Sequence, residues 1–192
     1  MSETTRNIKG TATEQNLVIS YLNESQAHAR YTFYAQQADK EEYYPIGQIF
    51  NETAANELHH AKVFFRLMQR GDIKVSVDVD CGPVSDTVSN LKTSIKEERV
   101  DGYEFYRQAA ATAREEGFDD IAEHFDAIAD VENYHMQRFE SYLKHIEEGT
   151  VWKRPTPIKW QCLVCGFIYT GTEPPEKCPG CSHSGKHFMP LD

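Results

Sequence analysis

Proline is nearly missing from the first three-quarters of the chain: of eight prolines only Pro45 and Pro83 precede residue 150. That leaves long helices uninterrupted there. No apolar run approaches the roughly 20 residues of a membrane span, and the opening MSETTRNIKG has no apolar stretch of the secretory kind. A cytoplasmic protein is expected, with its five cysteines in a reducing compartment where disulfides are not the default. Positive charge is also scarce. Residues 1–149 hold 15 bases against 27 acids, a balance of −12, whereas residues 150–192 stand at +2. An acidic body of this kind has little attraction for nucleic acid or an anionic membrane, and neither is expected as a partner.

The proline-poor part contains four stretches with apolar residues at alternating three- and four-residue steps, the period of a helix with one buried face. The first runs Leu17, Tyr21, Glu24, His28, Tyr31, Ala35, opened by a capping box of Thr11 and Glu14; the second runs Ile46, Phe50, Thr53, Glu57, His60, Phe64, Leu67 and is stopped by Gly71. The third runs Val84, Val88, Leu91, Ile95, Glu98, Gly102, Phe105, Ala109, and the fourth Ile121, Phe125, Ile128, Glu132, His135, Phe139, Tyr142, Ile146. Turns around 41–45 and at Gly117 make two antiparallel hairpins. The connector from about Asp72 to Pro83 is long enough to cross from one end of a bundle to the other, and its Val75, Val77 and Val79 alternate as an extended segment would. The expected fold is an all-α, ferritin-like four-helix bundle over 1–149 with one long crossover. A proline-rich extended linker follows at 150–157, and then a small metal-stapled domain at 158–192.

Each apolar stripe is interrupted mid-helix by a carboxylate, which is costly to bury unless it is paired or binds a metal. Glu57 with His60 and Glu132 with His135 form two Glu-x-x-His pairs, each on one helix face, and the other helices supply Glu24 and Glu98. This is the inward-facing set of a di-iron or di-manganese bundle. A buried salt-bridge layer is the competing explanation, and four carboxylates without a cation would repel too strongly for it. Ligand type alone does not choose between iron, manganese and zinc. Tyr31 follows Glu24 by seven residues and Tyr106 follows Glu98 by eight, so both phenols project near the ligand layer, where they can hydrogen-bond a ligating carboxylate or serve as ordinary core. His28 is expected to be a core histidine, and His59 to lie on the surface.

Cys162-x-x-Cys165 and Cys178-x-x-Cys181, twelve residues apart, build a tetrahedral four-thiolate site for zinc or a single iron, with Trp160, Phe167, Tyr169 and Phe188 as its small aromatic core. Attachment to a redox bundle favours iron. Cys81, alone in the crossover, is expected to be a free thiol.

The chain resembles the rubrerythrin family over nearly its whole length, carried by Glu24-Ser25-Gln26-Ala27, ETAANELHHAK from Glu52, AREEGFDDIA from Ala113, ENYH from Glu132 and the four-cysteine tail. The resemblance implies a ferritin-like bundle fused to a rubredoxin-like domain, two iron ions in the bundle and one in the four-cysteine site. It implies a peroxidase that reduces hydrogen peroxide to water in defence against oxidative stress. Electrons would come from a rubredoxin or an NADH-linked external reductase and pass from the four-cysteine iron to the di-iron pair. By the same resemblance Glu24, Glu57, His60, Glu98, Glu132 and His135 are ligands, Tyr31 and Tyr106 support them, and the assembly is a head-to-tail homodimer or a higher homo-oligomer. One position departs from the family. Where it usually has a second Glu three residues after the first on the third helix, this chain has Asp101, one methylene shorter and expected to ligate at longer reach, to bind through water, or to leave that iron differently coordinated. A ferroxidase that handles iron, and a zinc-ribbon interaction module on a structural bundle, are the alternatives of other classes.

Overall fold

The computed structural model describes residues 7–69, 71–79 and 83–191. Helix α1, Ala12–Lys40, begins at Thr11, whose Oγ1 accepts the Glu14 N–H at 3.1 Å. The return bond of the expected capping box goes elsewhere: Glu14 Oε2 accepts from Gly10 N at 2.8 Å, one residue before the cap. Glu116, arriving from the far end of the third helix, accepts from Ala12 N, Thr13 N and Thr13 Oγ1, so a long-range carboxylate serves the orphan amides of α1. Lys40 ends α1, Glu42 turns at φ 63°, and Pro45 opens α2, Tyr44–Leu67. Helix α2 stops at Leu67, four residues short of Gly71, because Met68 has already gone extended at ψ 143°.

The crossover continues to Asp86, which caps α3 by accepting the Ser89 N–H. Within it Ile73, Val75 and Val77 are half-buried between exposed neighbours, the alternation of an extended segment, whereas Val79 is exposed. Cys81 lies outside the described residues. The third bundle helix is not one continuous α-helix. It consists of α3, Thr87–Glu97, a π-helical segment, Glu98–Glu104, and α4, Phe105–Glu115. Gly117, at φ 80°, turns the chain into α5, Asp119–Glu147.

The core divides into two apolar clusters along the bundle. Leu17, Phe64, Tyr106 and Phe125 belong to one, and Tyr31, Phe50, Leu91 and Phe139 to the other; all eight are essentially inaccessible. At roughly 1.5–3 kcal/mol per large apolar side chain, these clusters oppose the cost of the polar layer held between them.

After α5 the chain does not run out as an extended spacer. Lys153 N donates to Thr150 O in a tight turn, and Val151 is buried. The tail is a three-stranded antiparallel sheet of order β2-β1-β3, with β1 Ile158–Cys162, β2 Ile168–Gly171 and β3 Phe188–Pro190; Trp160 faces Tyr169 on one side and Pro190 on the other. Trp160 and Phe188 form its centre, and Tyr169 packs against them. Phe167 does not, being 37% exposed beside the metal knuckles. The tail sits against the end of the bundle where α1 turns into α2: Trp152 stacks on Tyr43, His187 stacks on Tyr44 with ring centres 3.8 Å apart, and Lys186 pairs with Glu42.

Candidate metal centres

Six chelating side chains meet mid-bundle in a layer set by a seven-residue repeat. Glu24 has Leu17 and Tyr31 two turns to either side, Glu57 has Phe50 and Phe64, and Glu132 has Phe125 and Phe139; each carboxylate is buried between two buried apolar neighbours. Two overlapping sets result, each with its ligand atoms within 4.8 Å of one another: Glu24, Glu57, His60 and Glu132, and Glu57, Glu98, Glu132 and His135. Glu57 and Glu132 belong to both. Both imidazoles turn Nδ1 inward. His60 Nδ1 lies 2.9 Å from Glu57 and 3.0 Å from Glu132, and His135 Nδ1 lies 2.8 Å from Glu132 and 3.2 Å from Glu57. A Glu-x-x-His pair therefore puts a carboxylate and an Nδ1 on one spot.

The electrostatics show how strained this layer is on protein groups alone. Burial, with the charge of Glu132 next, pushes the Glu98 carboxyl up to about 7, and burial with the charges of Glu132 and Glu57 holds Glu24 well above the usual carboxylate range. Burial would lower His60, but its contacts with Glu132 and Glu57 overcome that and raise it to about 9; His135 is raised in the same way. Glu57 Oε1 and Glu132 Oε1 are buried and face the imidazole of the other Glu-x-x-His pair, at 3.2 Å and 3.0 Å, without hydrogen-bond geometry. Buried carboxylate oxygens without a well-formed hydrogen bond, on the two residues common to both sets, are what two divalent cations would satisfy, so the residues present fit a di-metal centre.

Each tyrosine serves the carboxylate of the opposite helix. Tyr31 Oη donates to Glu98 Oε1 at 2.5 Å and Tyr106 Oη to Glu24 Oε1 at 2.7 Å. Burial, followed by the charge of the bonded carboxylate, pushes both phenols well above their ordinary range, so they are neutral donors. Asp101 is exposed and belongs to neither set, although it lines the cavity of about 60 Å³ that opens on Glu24, Glu57, Glu98 and Glu132. His28 is half-buried rather than core, with Nδ1 2.7 Å from Ala54 O, and His59 is exposed.

Sequence reasoning missed the ion pair of half-buried Arg30 with buried Glu97 on the wall of the cavity and the close approach of Gly102 to Glu132. The signal for the second was in the spacing. Leu91 to Glu98 keeps the seven-residue step of the other helices, but Glu98 to Tyr106 takes eight, and the π-helical segment accommodates the extra residue.

In the tail, Cys162, Cys165, Cys178 and Cys181 also fall within 4.8 Å of one another, with Sγ–Sγ distances of 3.7 Å for Cys162–Cys181 and 3.6 Å for Cys165–Cys178. The Cys178 thiol is pushed down to about 7: desolvation opposes this, but the N–H groups of Gly180 and Cys181 and two neighbouring sulfurs outweigh it. Gly180 stands where a Cβ would come 3.3 Å from Cys165 Sγ. Converging N–H groups around clustered sulfurs suit thiolate ligands.

A four-helix bundle with one crossover and a double carboxylate–imidazole layer, joined to a four-thiolate satellite, defines a ferritin-like non-haem di-iron protein with a rubredoxin-like domain. Residues 15–143 and 89–160 match the rubrerythrin family model, and 160–189 match that of the rubrerythrin rubredoxin-like domain. The chain is 39% identical over 190 residues to a rubrerythrin of Porphyromonas gingivalis, covering 99% of this chain and 95% of the relative. It is 43% identical over 185 residues to a putative rubrerythrin of Methanocaldococcus jannaschii, covering 92% and 91%. Among solved structures, nigerythrin in a mixed-valence state matches with a TM-score of 0.64 at 25% identity, covering 99% of this chain and 94% of that one. The chain belongs to the rubrerythrin family. It carries that family's di-iron site in the bundle and its iron site in the four-cysteine tail. No helix among the described residues is long and apolar enough to cross a membrane.

Proposed function

We propose that the protein is a cytoplasmic peroxidase that reduces hydrogen peroxide to water with electrons delivered through the rubredoxin-like site by a rubredoxin or an NADH-linked reductase. The observation that carries this reading is the pair of overlapping ligand sets sharing Glu57 and Glu132 beside a small cavity. Glu57 and Glu132, common to both sets, would hold two irons together with Glu24 and His60 on one side and Glu98 and His135 on the other, and Cys162, Cys165, Cys178 and Cys181 would hold the third iron. Two irons held there would supply the two electrons together, the chemistry that reduces a peroxide without releasing a hydroxyl radical.

The chain's own groups do the rest. Peroxide, two electrons and two protons give two waters. Protons are held at the hydroxyls of Tyr31 and Tyr106, each already donating to a ligand carboxylate. The two apolar clusters keep bulk water from the layer on both sides along the bundle axis. The cavity has room for a molecule the size of peroxide and opens toward solvent past Asp101. Asp101, at its edge, acts on a ligand or water at longer reach than the family's Glu.

Electrons reach the bundle from the tail of another chain in a head-to-tail oligomer. The tail rests on its own bundle at Tyr43 and Tyr44, and Glu57 lies about 20 Å further along α2 at roughly 1.5 Å per residue. A steady-state assay with reduced rubredoxin and hydrogen peroxide tests the reading. Rapid peroxide-dependent oxidation of rubredoxin is expected. Fe(II) oxidation and storage without peroxide turnover would replace the peroxidase with an iron-handling protein.

A further inference from the structure

The two imidazoles of the layer are not held alike. Among the described residues His60 is contacted through Nδ1 alone, by a hydrogen bond with Glu57 and a 3.0 Å ion-pair approach to Glu132. His135 has a second contact on its far side: Asn56 Nδ2 lies 3.2 Å from His135 Nε2, across the seam between α2 and α5. The same seam carries the Arg138–Glu52 pair, one turn along both helices, with Gln48 Nε2 donating to Glu52 Oε1 at 2.9 Å. Glu52 and Asn56 are four apart on α2 and His135 and Arg138 three apart on α5, so the ion pair fixes the register that brings Asn56 against the imidazole. His135 is fully buried, whereas Asn56 is exposed. The contact thus joins the innermost imidazole to the surface of the bundle.

An imidazole that gives Nδ1 to a metal keeps its hydrogen on Nε2, and that N–H needs an acceptor. A carboxamide meets the requirement by rotating about χ2, which exchanges Nδ2 for Oδ1 without displacing the side chain. We propose that Asn56 is a positioning residue for the di-metal centre: its carboxamide oxygen accepts the Nε2–H of His135 and thereby fixes the ring orientation and tautomer that present Nδ1 to the metal. This rests on the reading of His135 as a ligand, and Asn56 itself touches neither metal nor substrate.

The test uses the full chain. Fe(II) is titrated anaerobically against a competing chelator, and the Nε2–H of His135 is followed by long-range ¹H–¹⁵N spectra of the diamagnetic Zn(II)-loaded protein. Asn56→Ala is expected to weaken bundle Fe(II) binding about 10- to 100-fold, the usual effect of losing the partner of a ligating imidazole, and to speed solvent exchange of the Nε2–H. Iron in the tail, read by its Fe(III)–thiolate colour after oxidation, stays unchanged. Asn56→Asp, which offers only an acceptor, is expected to bind within a few-fold of the parent. Undiminished binding by Asn56→Ala, or binding by Asn56→Asp as weak as by Asn56→Ala, would overturn the proposal. His135→Ala separates the two levels: if it binds like the parent, the ligand reading fails, and if binding needs His135 but not Asn56, only the positioning role fails.

Discussion

Tyr106 donates its hydroxyl to Glu24 across the bundle, although it rides on the helix that carries Glu98. Tyr31, on the helix of Glu24, donates to Glu98 in return. The exchange gives the layer an approximate two-fold symmetry and ties the two hairpins together at the site. Neither bond is local, so neither was visible as a bond in the sequence, only as two phenols near the right depth.

Removing one hydroxyl deletes a bond to a buried carboxylate without emptying space, since the ring stays packed: Tyr31 against Phe139 at 5.5 Å and Tyr106 against Phe64 at 5.3 Å. Tyr31→Phe and Tyr106→Phe should each cost about 1–3 kcal/mol and lower peroxide turnover, with helicity retained. Thermal melts by circular dichroism and the rubredoxin-coupled assay check this. Full turnover by the double variant would mean that the hydroxyls carry no protons for the reaction.

The π-helical segment makes a sharper demand at Gly102. A Cβ there would come 2.8 Å from Glu132 Cγ and 2.9 Å from its Cβ, and the Glu132 side chain is confined by its contacts with His60 and His135. Gly102→Ala should therefore displace a carboxylate common to both ligand sets, costing about 1–3 kcal/mol as overpacking does and weakening Fe(II) binding to the bundle while the tail keeps its iron. Tight binding of two bundle irons by this variant would show that Glu132 can shift without loss.

Much of the architecture was legible because the stripes are regular. Phe50, Glu57 and Phe64, and Phe125, Glu132 and Phe139, repeat every seven residues, and only a buried helix face explains an acid in the middle of such a run. What escaped was set by backbone choices with weak sequence signatures. The extra residue between Glu98 and Tyr106 was counted but not taken as a π-helical insertion, and the stop of α2 at Leu67 follows from the turn of Met68 rather than from a glycine. Phe167 was placed in the tail's core by its aromatic character alone, while the knuckle geometry leaves it beside the sulfurs, 37% exposed. The linker prolines marked a boundary but not its shape, because stacking of Trp152 on Tyr43 is a long-range contact.

Stripping metal from the bundle should reverse the way stability responds to pH. On protein groups alone His60 is raised from 6.5 to about 9 and Glu98 from 4.5 to about 7, so the folded chain holds protons that the unfolded chain has released. Their stabilisation is complete below the unfolded values and is lost as pH climbs through the folded ones, for Glu98 between about 4.5 and 7 and for His60 between about 6.5 and 9. Chelator-treated protein should thus melt at progressively lower temperature from pH 6 to pH 9, by up to about 3 kcal/mol from His60. Iron-loaded protein should hold or gain over the same range, because metal displaces those protons and binds more tightly as they leave. Calorimetric melts of both forms check this, and parallel pH profiles would contradict it.

Electron delivery between chains makes the most demanding prediction. The tail is fastened to its own bundle at the α1–α2 turn, by Trp152 on Tyr43, His187 on Tyr44 and Lys186 with Glu42, which keeps its four sulfurs at the bundle end while the carboxylate layer lies mid-helix. In the proposed head-to-tail oligomer a neighbour running in the opposite sense would bring that tail alongside the layer, and the +2 charge of residues 150–192 favours docking on a body at −12. Cys178→Ser should abolish the iron-thiolate colour and unravel the tail with bundle helicity intact; Glu57→Ala should abolish turnover with the colour intact. Each variant alone is then inactive. Co-refolded mixtures, with exchange of subunits verified by mass-tagged chains, should recover part of the turnover, because some oligomers present an intact tail to an intact layer on different chains. Absence of recovery in verified mixed oligomers would place electron transfer within one chain, and the docking at Tyr43 and Tyr44 would then have to release during each turnover.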